Sequence, residues 1–126
     1  MPPRLQTKIN TLYMRERVND SARLELMAEE IGNIEEYLAD VKSYEEFASN
    51  KLIRHAVAYN LQCIGENVYK LSREFVAKNN GTDWQAIEGL RHVLVHDYYT
   101  VNFETVWNII KVDVPALKRF LTEYVG

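Results

Sequence analysis

The sequence predicts an all-α protein, a bundle of four to five up-and-down helices, and two observations favour this fold class. Apolar residues recur at three- and four-residue spacings through most of the 126 residues, whereas no stretch of useful length alternates apolar with polar residues as a strand would. The composition, 47% hydrophobic and 26% charged, is typical of a globular chain that forms a single core. An active site in such a chain must share its scaffold with the core or be completed by a second copy.

The first two helices are predicted from the longest apolar stripes. One stripe covers residues 24–41 and has Asp20 before it as the candidate N-cap. The other covers residues 53–75 and predicts the longest helix. Gly32 and Gly65 interrupt these stripes, and glycine within a helix costs about 1 kcal/mol relative to alanine. We therefore expect close contact with a neighbouring helix at both glycines.

Two further helices are predicted in the C-terminal half. The segment Thr82–Gln85 has the form of a capping box and precedes an apolar stripe over residues 84–94. Asn102 can cap the last segment, whose stripe covers residues 103–124 and contains Pro115. Because proline lacks a backbone N–H and clashes with the preceding turn, we expect a kink or a break just before it.

The chain divides into one domain and a short extension. Residues 18–126 are predicted to form a single helical domain. Residues 1–17 carry only a weak stripe at Leu5, Ile9 and Leu12, which predicts an N-terminal extension that is either a tail or an extra helix.

Charge and cysteine content constrain partners and location. With a net charge of -3 and a sequence pI near 5.6, the molecule as a whole repels nucleic acid, so RNA binding would need basic groups concentrated locally. The best candidates belong to the second predicted helix, namely Lys51, Arg54, Lys70 and Arg73. The single cysteine, Cys63, fits a reducing compartment, and neither a membrane span nor a signal peptide is recognisable. We expect a cytoplasmic protein without membrane association.

The chemically richest segment is "LRHVLVHDYY", residues 90–99, at the end of the third predicted helix. Its histidines can take or give a proton near neutral pH, and a guanidinium stabilises charge on a phosphoryl oxygen. Arg91 and His96 thus offer what metal-free RNA cleavage needs. Five positions along an ideal helix separate two side chains by about 140°. Either the helix ends near Val95, or a symmetric partner brings a second copy of each residue.

Two other interpretations of the segment stay open at this point. Glu88, His92 and His96 share one helical face, and two histidines four residues apart are half of a zinc site that Cys63 or Asp97 would have to complete. Alternatively, the histidines are structural and Arg91 forms a surface ion pair.

The pattern R-x-x-x-x-H-x-Y in "RHVLVHDY", together with its surroundings "WQAIEGLRHVLVHDYYTVNFETVWNIIKVDVPAL", resembles the HepT family of HEPN-domain ribonuclease toxins. The similarity extends to "IRHAVAYNLQCIGENVYKLS", residues 53–72, whose "IGEN" looks like the IGEA-type segment of the family's long helix. Overall it covers residues 23–121. The tyrosine, the upstream Trp84 and the downstream Val106-Trp107 make it more specific than R-x-x-x-x-H alone.

The resemblance implies a HEPN-fold homodimer with two motifs facing each other across a cleft. Arg91 and His96 match the catalytic pair, which cleaves RNA, either tRNA or mRNA, without a metal or other cofactor. The family's usual partner is a MntA-type minimal nucleotidyltransferase, an antitoxin that adds AMP to the motif tyrosine, here Tyr98. His92 occupies a position that is most often asparagine in the family, and two roles stay open for it: a supporting role in which it positions substrate, or a share in the proton chemistry. Tyr99 is expected in the core or in an interface.

A competing interpretation is a non-catalytic HEPN module that serves as the substrate-presenting or binding subunit of the nucleotidyltransferase. A pure adaptor would have no need for the arginine, the histidine and the tyrosine together. The resemblance therefore favours the toxin.

Overall fold

A computed structural model describes residues 4–12, 19–96 and 98–125. These residues form helices joined by short connections, with no strand among them, so the predicted all-α class is confirmed. The helices are α1 (Leu5–Leu12), α2 (Asp20–Tyr37), α3 (Tyr44–Ser49), α4 (Lys51–Tyr69), α5 (Arg73–Lys78), α6 (Trp84–His96), α7 (Phe103–Asn108) and α8 (Val114–Val125). A 3₁₀ turn at Tyr98–Thr100 precedes α7, and a π turn at Ile109–Asp113 joins α7 to α8.

Helix α4 packs against both α2 and α6, and α8 closes the core against α2. The predicted stripes supply most of the buried side chains, which confirms which faces of these helices point inward. Phe47 on the short α3 is fully buried, although the apolar pattern did not predict that helix. The buried apolar residues are Leu24, Met27, Ile31, Ile34, Phe47, Val57, Ala58, Leu61, Ile64, Val68, Leu71, Phe75, Trp84, Leu94, Val106, Ile110, Val114, Leu117 and Leu121.

The stripe over residues 53–75 is split between two helices, so the prediction of one continuous helix was wrong. Asp20 explains the break: its carboxylate accepts hydrogen bonds from the backbone N–H of Ser72 at 2.8 Å and from the Ser72 hydroxyl at 2.6 Å. The Ser72 hydroxyl in turn accepts from the N–H of Phe75 and caps α5. Asp20 is therefore not the N-cap of α2. Asn19 is, because its side chain accepts from the N–H of Ala22.

At the remaining helix ends, the structure confirms the predicted cap of the last segment and differs from the predictions at the start of α6 and at the end of α2. Asn102 caps α7 by accepting from two backbone N–H groups, and the π turn lies immediately before Pro115, where a break was expected. At α6 the capping side chain is Asp83, which accepts from the N–H of Ala86 at 3.1 Å, rather than Thr82. The stripe over residues 24–41 leaves the helical conformation after Tyr37.

Of Gly32 and Gly65, only Gly65 makes the predicted close contact. Gly65 lies where α4 meets α6, whereas the position of a side chain at Gly32 is open space. The expectation was therefore wrong for Gly32, whose helical position has no packing explanation in this chain.

Helix α1 belongs to the predicted extension and buries none of its residues. Among the described residues, no helix is both long and apolar enough to cross a membrane. The remainder of the extension, residues 1–3 and 13–17, lies outside the described part of the chain.

Candidate functional site

Helix α6 presents Arg91 to α4. The guanidinium lies 3.8 Å above the centre of the Tyr69 ring, and its Nη1 is 3.3 Å from Glu66 Oε2. Glu66 is shared, since its other oxygen is 3.6 Å from Lys70 Nζ. The Arg91 side chain remains 32% exposed. These contacts therefore order the Arg91 guanidinium, while its exposed part stays accessible to an anionic ligand.

His92 and His96 lie one turn apart on the exposed face of α6. Their ring centroids are 4.7 Å apart with the planes inclined by 48°. His96 is the last residue of the helix. Because α6 continues through His96, Arg91 and His96 diverge by about 140° around its axis. Among the described residues, no hydrogen bond or ring contact joins the two, so a single chain does not direct both at one atom.

Tyr98 lies in the 3₁₀ turn that follows, and its hydroxyl is buried without a hydrogen-bond partner among the described residues. Its ring meets the edge of His55 at 5.0 Å and that of Phe103 at 6.0 Å between centroids. Burial raises the pKa of the Tyr98 phenol, an effect that the neighbouring Arg54 guanidinium opposes. Tyr99 is by contrast 100% exposed, so its expected place in the core was wrong.

A cavity of about 310 Å³ lies between α4 and the C-terminal end of α6. Aromatic side chains dominate its walls, and one of them, His55, was not singled out by the sequence because it lies apart from the histidine cluster. The lining residues are His55, Ala58, Tyr59, Gln62, Leu94, Tyr98 and Tyr99. A larger groove of about 750 Å³ runs between the start of α6 and α8, and Arg91, His92 and His96 do not line it. None of these three residues lines the smaller cavity either, so Tyr98 is the predicted site residue that contributes to it.

The four predicted RNA-contacting residues are not gathered in one patch. Lys51 and Lys70 lie at opposite ends of α4, a helix about 28 Å long, and Arg73 begins α5. Arg54 is half-buried, with its guanidinium 4.8 Å from the centre of the Phe103 ring. Of the four, Lys70 and Arg54 are connected with motif residues, the first through Glu66 and the second beside Tyr98.

The zinc interpretation gains no third ligand from the described residues. Within residues 4–12, 19–96 and 98–125, no three His, Cys, Asp or Glu side chains converge as metal ligands. Burial raises the pKa of the Cys63 thiol, and a hydrogen bond with Tyr59 partly offsets that rise. Asp97, the other candidate ligand, lies outside the described residues.

Comparison with known proteins identifies the same family as the sequence motif. Residues 27–124 match the family model HepT-like, described as "Ribonuclease HepT-like". A Methanocaldococcus jannaschii protein named "Putative RNase MJ1380" is 35% identical over 91 residues, which cover 72% of this chain and 83% of that protein. A Thermococcus cleftensis protein named "Probable ribonuclease HepT" is 32% identical over 95 residues, covering 75% and 86%. No solved structure gave a significant match.

Proposed function

Because the chain belongs to the HepT-like ribonuclease family, we propose that it is an endoribonuclease toxin that cleaves RNA with Arg91 and His96 and without a metal cofactor. The observation that carries the proposal is the state of Arg91. Its guanidinium is fixed against Tyr69 and Glu66 yet partly exposed, and the same helix carries two exposed histidines, one at the next residue and one five residues on. A structural arginine would form the same ion pair, so the exposed histidines on the same helix are what favour a catalytic role for Arg91.

The chemistry follows from these side chains. The ribose 2′-hydroxyl loses a proton and its oxygen bonds to the adjacent phosphorus, while the bond from phosphorus to the 5′-oxygen breaks and that oxygen gains a proton. His96 serves in these proton transfers, and Arg91 stabilises the negative charge on the phosphoryl oxygens. The products carry a 2′,3′-cyclic phosphate and a 5′-hydroxyl. His92, whose ring lies beside that of His96, supports its orientation.

A homodimer completes the site. The reaction requires two proton transfers, and one chain offers a single His96 that diverges from its own Arg91. A two-fold axis near the end of α6 would bring the second copies of both residues to the same cleft. Exposed apolar side chains near the motif, Val93, Val95 and Tyr99, support burial of this surface against a second copy.

Adenylylation of Tyr98 by a MntA-type nucleotidyltransferase would neutralise the toxin. The phosphodiester-linked AMP adds negative charge and bulk beside the cleft and competes with RNA for Arg91. Since the Tyr98 hydroxyl is buried, the 3₁₀ turn must open before the phenol oxygen can attack the α-phosphorus of ATP, a step in which the phenol loses its proton and pyrophosphate leaves. The attached AMP then keeps the ring from returning to its place beside His55.

Two linked experiments test the proposal. Expression of the chain should arrest growth, and His96→Ala should relieve the arrest. The purified chain, incubated with the nucleotidyltransferase, ATP and magnesium, should gain mass in whole AMP units. The gain should vanish in Tyr98→Phe and persist in Tyr99→Phe, the adjacent exposed tyrosine. Mass gain in Tyr98→Phe would reject Tyr98 as the acceptor, and arrest by His96→Ala would reject the catalytic assignment.

A further inference from the structure

We propose that Glu66 and Tyr69 are positioning residues that hold the Arg91 guanidinium in the orientation in which it meets the scissile phosphate. This inference rests on the proposed ribonuclease function. It assigns to α4 a part in the chemistry that the motif on α6 does not itself contain.

The two contacts constrain different motions of the guanidinium. The Tyr69 ring lies 3.8 Å from the guanidinium carbon, which limits how far the group can move from α4. Glu66 accepts at 3.3 Å from Nη1, which limits how the guanidinium can turn. Arginine presents five N–H donors, so one bond to Glu66 leaves most of them for phosphoryl oxygens.

The close spacing of α4 and α6 favours both contacts of Arg91. Gly65, directly before Glu66, allows the backbones of α4 and α6 to approach each other at Arg91. Tyr69 follows one turn later on α4 and reaches the same side chain. An unsupported arginine would have to lose its rotamer freedom when RNA binds, whereas this one is ordered beforehand.

Glu66 also carries negative charge next to a cation that must bind phosphate. Two opposite effects of Glu66 on RNA binding by Arg91 therefore have to be compared. Positioning requires that the carboxylate hold the guanidinium while the remaining donors face the RNA. Competition would make Glu66 an inhibitor of RNA binding. The partial exposure of the Arg91 side chain and the contact with only one of its nitrogens favour positioning.

The test is single-site RNA cleavage by the full-length chain with Glu66→Gln, Tyr69→Leu and Tyr69→Phe. Glu35→Gln is the matched control, because Glu35 and Lys118 form another ion pair between two helices, at 2.7 Å and about half exposed. Displacing a group by about 1 Å from its productive place can cost about 100-fold in rate. We expect kcat to fall about 10- to 100-fold in Glu66→Gln and Tyr69→Leu with little change in KM. Tyr69→Phe, which keeps the ring, and Glu35→Gln should retain the wild-type rate.

A second readout separates positioning from general loosening of the fold. RNA with a single phosphorothioate at the cleavage site exists as two diastereomers, and a fixed guanidinium should distinguish them. The ratio of the two cleavage rates should shrink toward one in Glu66→Gln and Tyr69→Leu and remain unchanged in Tyr69→Phe and Glu35→Gln. Were Glu66→Gln to unfold, the two Tyr69 variants would still decide the matter.

Unchanged rates and ratios in Glu66→Gln and Tyr69→Leu would overturn the inference, as would faster cleavage by Glu66→Gln, which would identify the carboxylate as a competitor of RNA. These results differ from a failure of the proposed function. In that case the wild-type chain would not cleave RNA, or Arg91→Ala would cleave it as fast as the wild type, and the positioning role would fall with it.

Discussion

A β-carbon built on Gly65 would stand 2.9 Å from the backbone nitrogen of Arg91 and 3.0 Å from the carbonyl oxygen of Ile87. Helices α4 and α6 thus touch backbone to backbone where the motif begins. These neighbours are main-chain atoms that cannot move aside as a flexible side chain would. The close approach of Arg91 to α4 therefore depends on the absence of a β-carbon at Gly65.

Gly65→Ala should consequently separate α4 from α6 and lower the free energy of unfolding by about 1 to 3 kcal/mol, the usual cost of overpacking. Gly32→Ala is the matched control, since an added β-carbon there meets nothing within 4 Å. Alanine at that helical position should stabilise the chain by about 0.5 to 1 kcal/mol. Urea unfolding of both variants measures the difference, and equal effects in the two would contradict the backbone contact.

Tyr98→Phe should change how stability depends on alkaline pH. The folded-state pKa of Tyr98 lies above its unfolded value, so folding favours the neutral phenol. The stabilisation from that preference is present below the unfolded pKa, about 10, and is lost as the pH rises through the folded pKa. Wild-type protein should therefore lose more stability than Tyr98→Phe between about pH 9 and 11.

At neutral pH the same substitution should leave stability unchanged or raise it by up to about 1 kcal/mol, because it removes a buried hydroxyl that has no partner. Chemical unfolding at a series of pH values gives both results. Parallel curves for the two proteins, with Tyr98→Phe the less stable at neutral pH, would show that the hydroxyl is satisfied and solvated.

His92→Asn should keep most of the cleavage activity, whereas His96→Ala should abolish it. Asparagine can retain a polar contact on the exposed face of α6, but only His96 can take part in proton transfer in this account. Initial rates on one RNA substrate rank the two variants. Equal losses would reject the ranking and give His92 a share of the proton chemistry.

Removal of residues 1–17 should leave a folded, active core. Helix α1 buries none of its residues, and the family match begins only at residue 27. Thermal unfolding and light scattering of the truncated chain are compared with those of the full chain. An unchanged unfolding temperature and the same oligomeric mass as that of the full chain are the expected outcome, and a smaller oligomeric mass would show that the extension takes part in assembly.

Helical periodicity predicted most of the fold because the same apolar stripes that define the helices also fill the core. The errors lie where a distant side chain decides the local structure. Asp20 ends α4 from fifty residues away by binding Ser72, and no local pattern around Lys70 indicates that break. Helix α3 was not predicted because it is short and buries a single large residue, Phe47.

The candidate site residues Arg91, His96 and Tyr98 come from the sequence motif. The sequence does not indicate that Tyr98 is buried beside His55 or that Arg91 contacts α4. For Glu66, the only indication in the sequence was its place within the "IGEN" segment that resembles the family. Contacts between helices depend on their mutual rotation and spacing, and these are set by packing of the whole core.

The most direct test of the account is cleavage of end-labelled tRNA and mRNA fragments by the purified, unmodified chain in excess EDTA, beside His96→Ala. Wild-type protein should cleave the RNA and leave 2′,3′-cyclic phosphate and 5′-hydroxyl ends, and His96→Ala should lose at least about 100-fold of this activity. Cleavage that stops in EDTA, undiminished activity in His96→Ala, or intact RNA with the wild-type protein would contradict it.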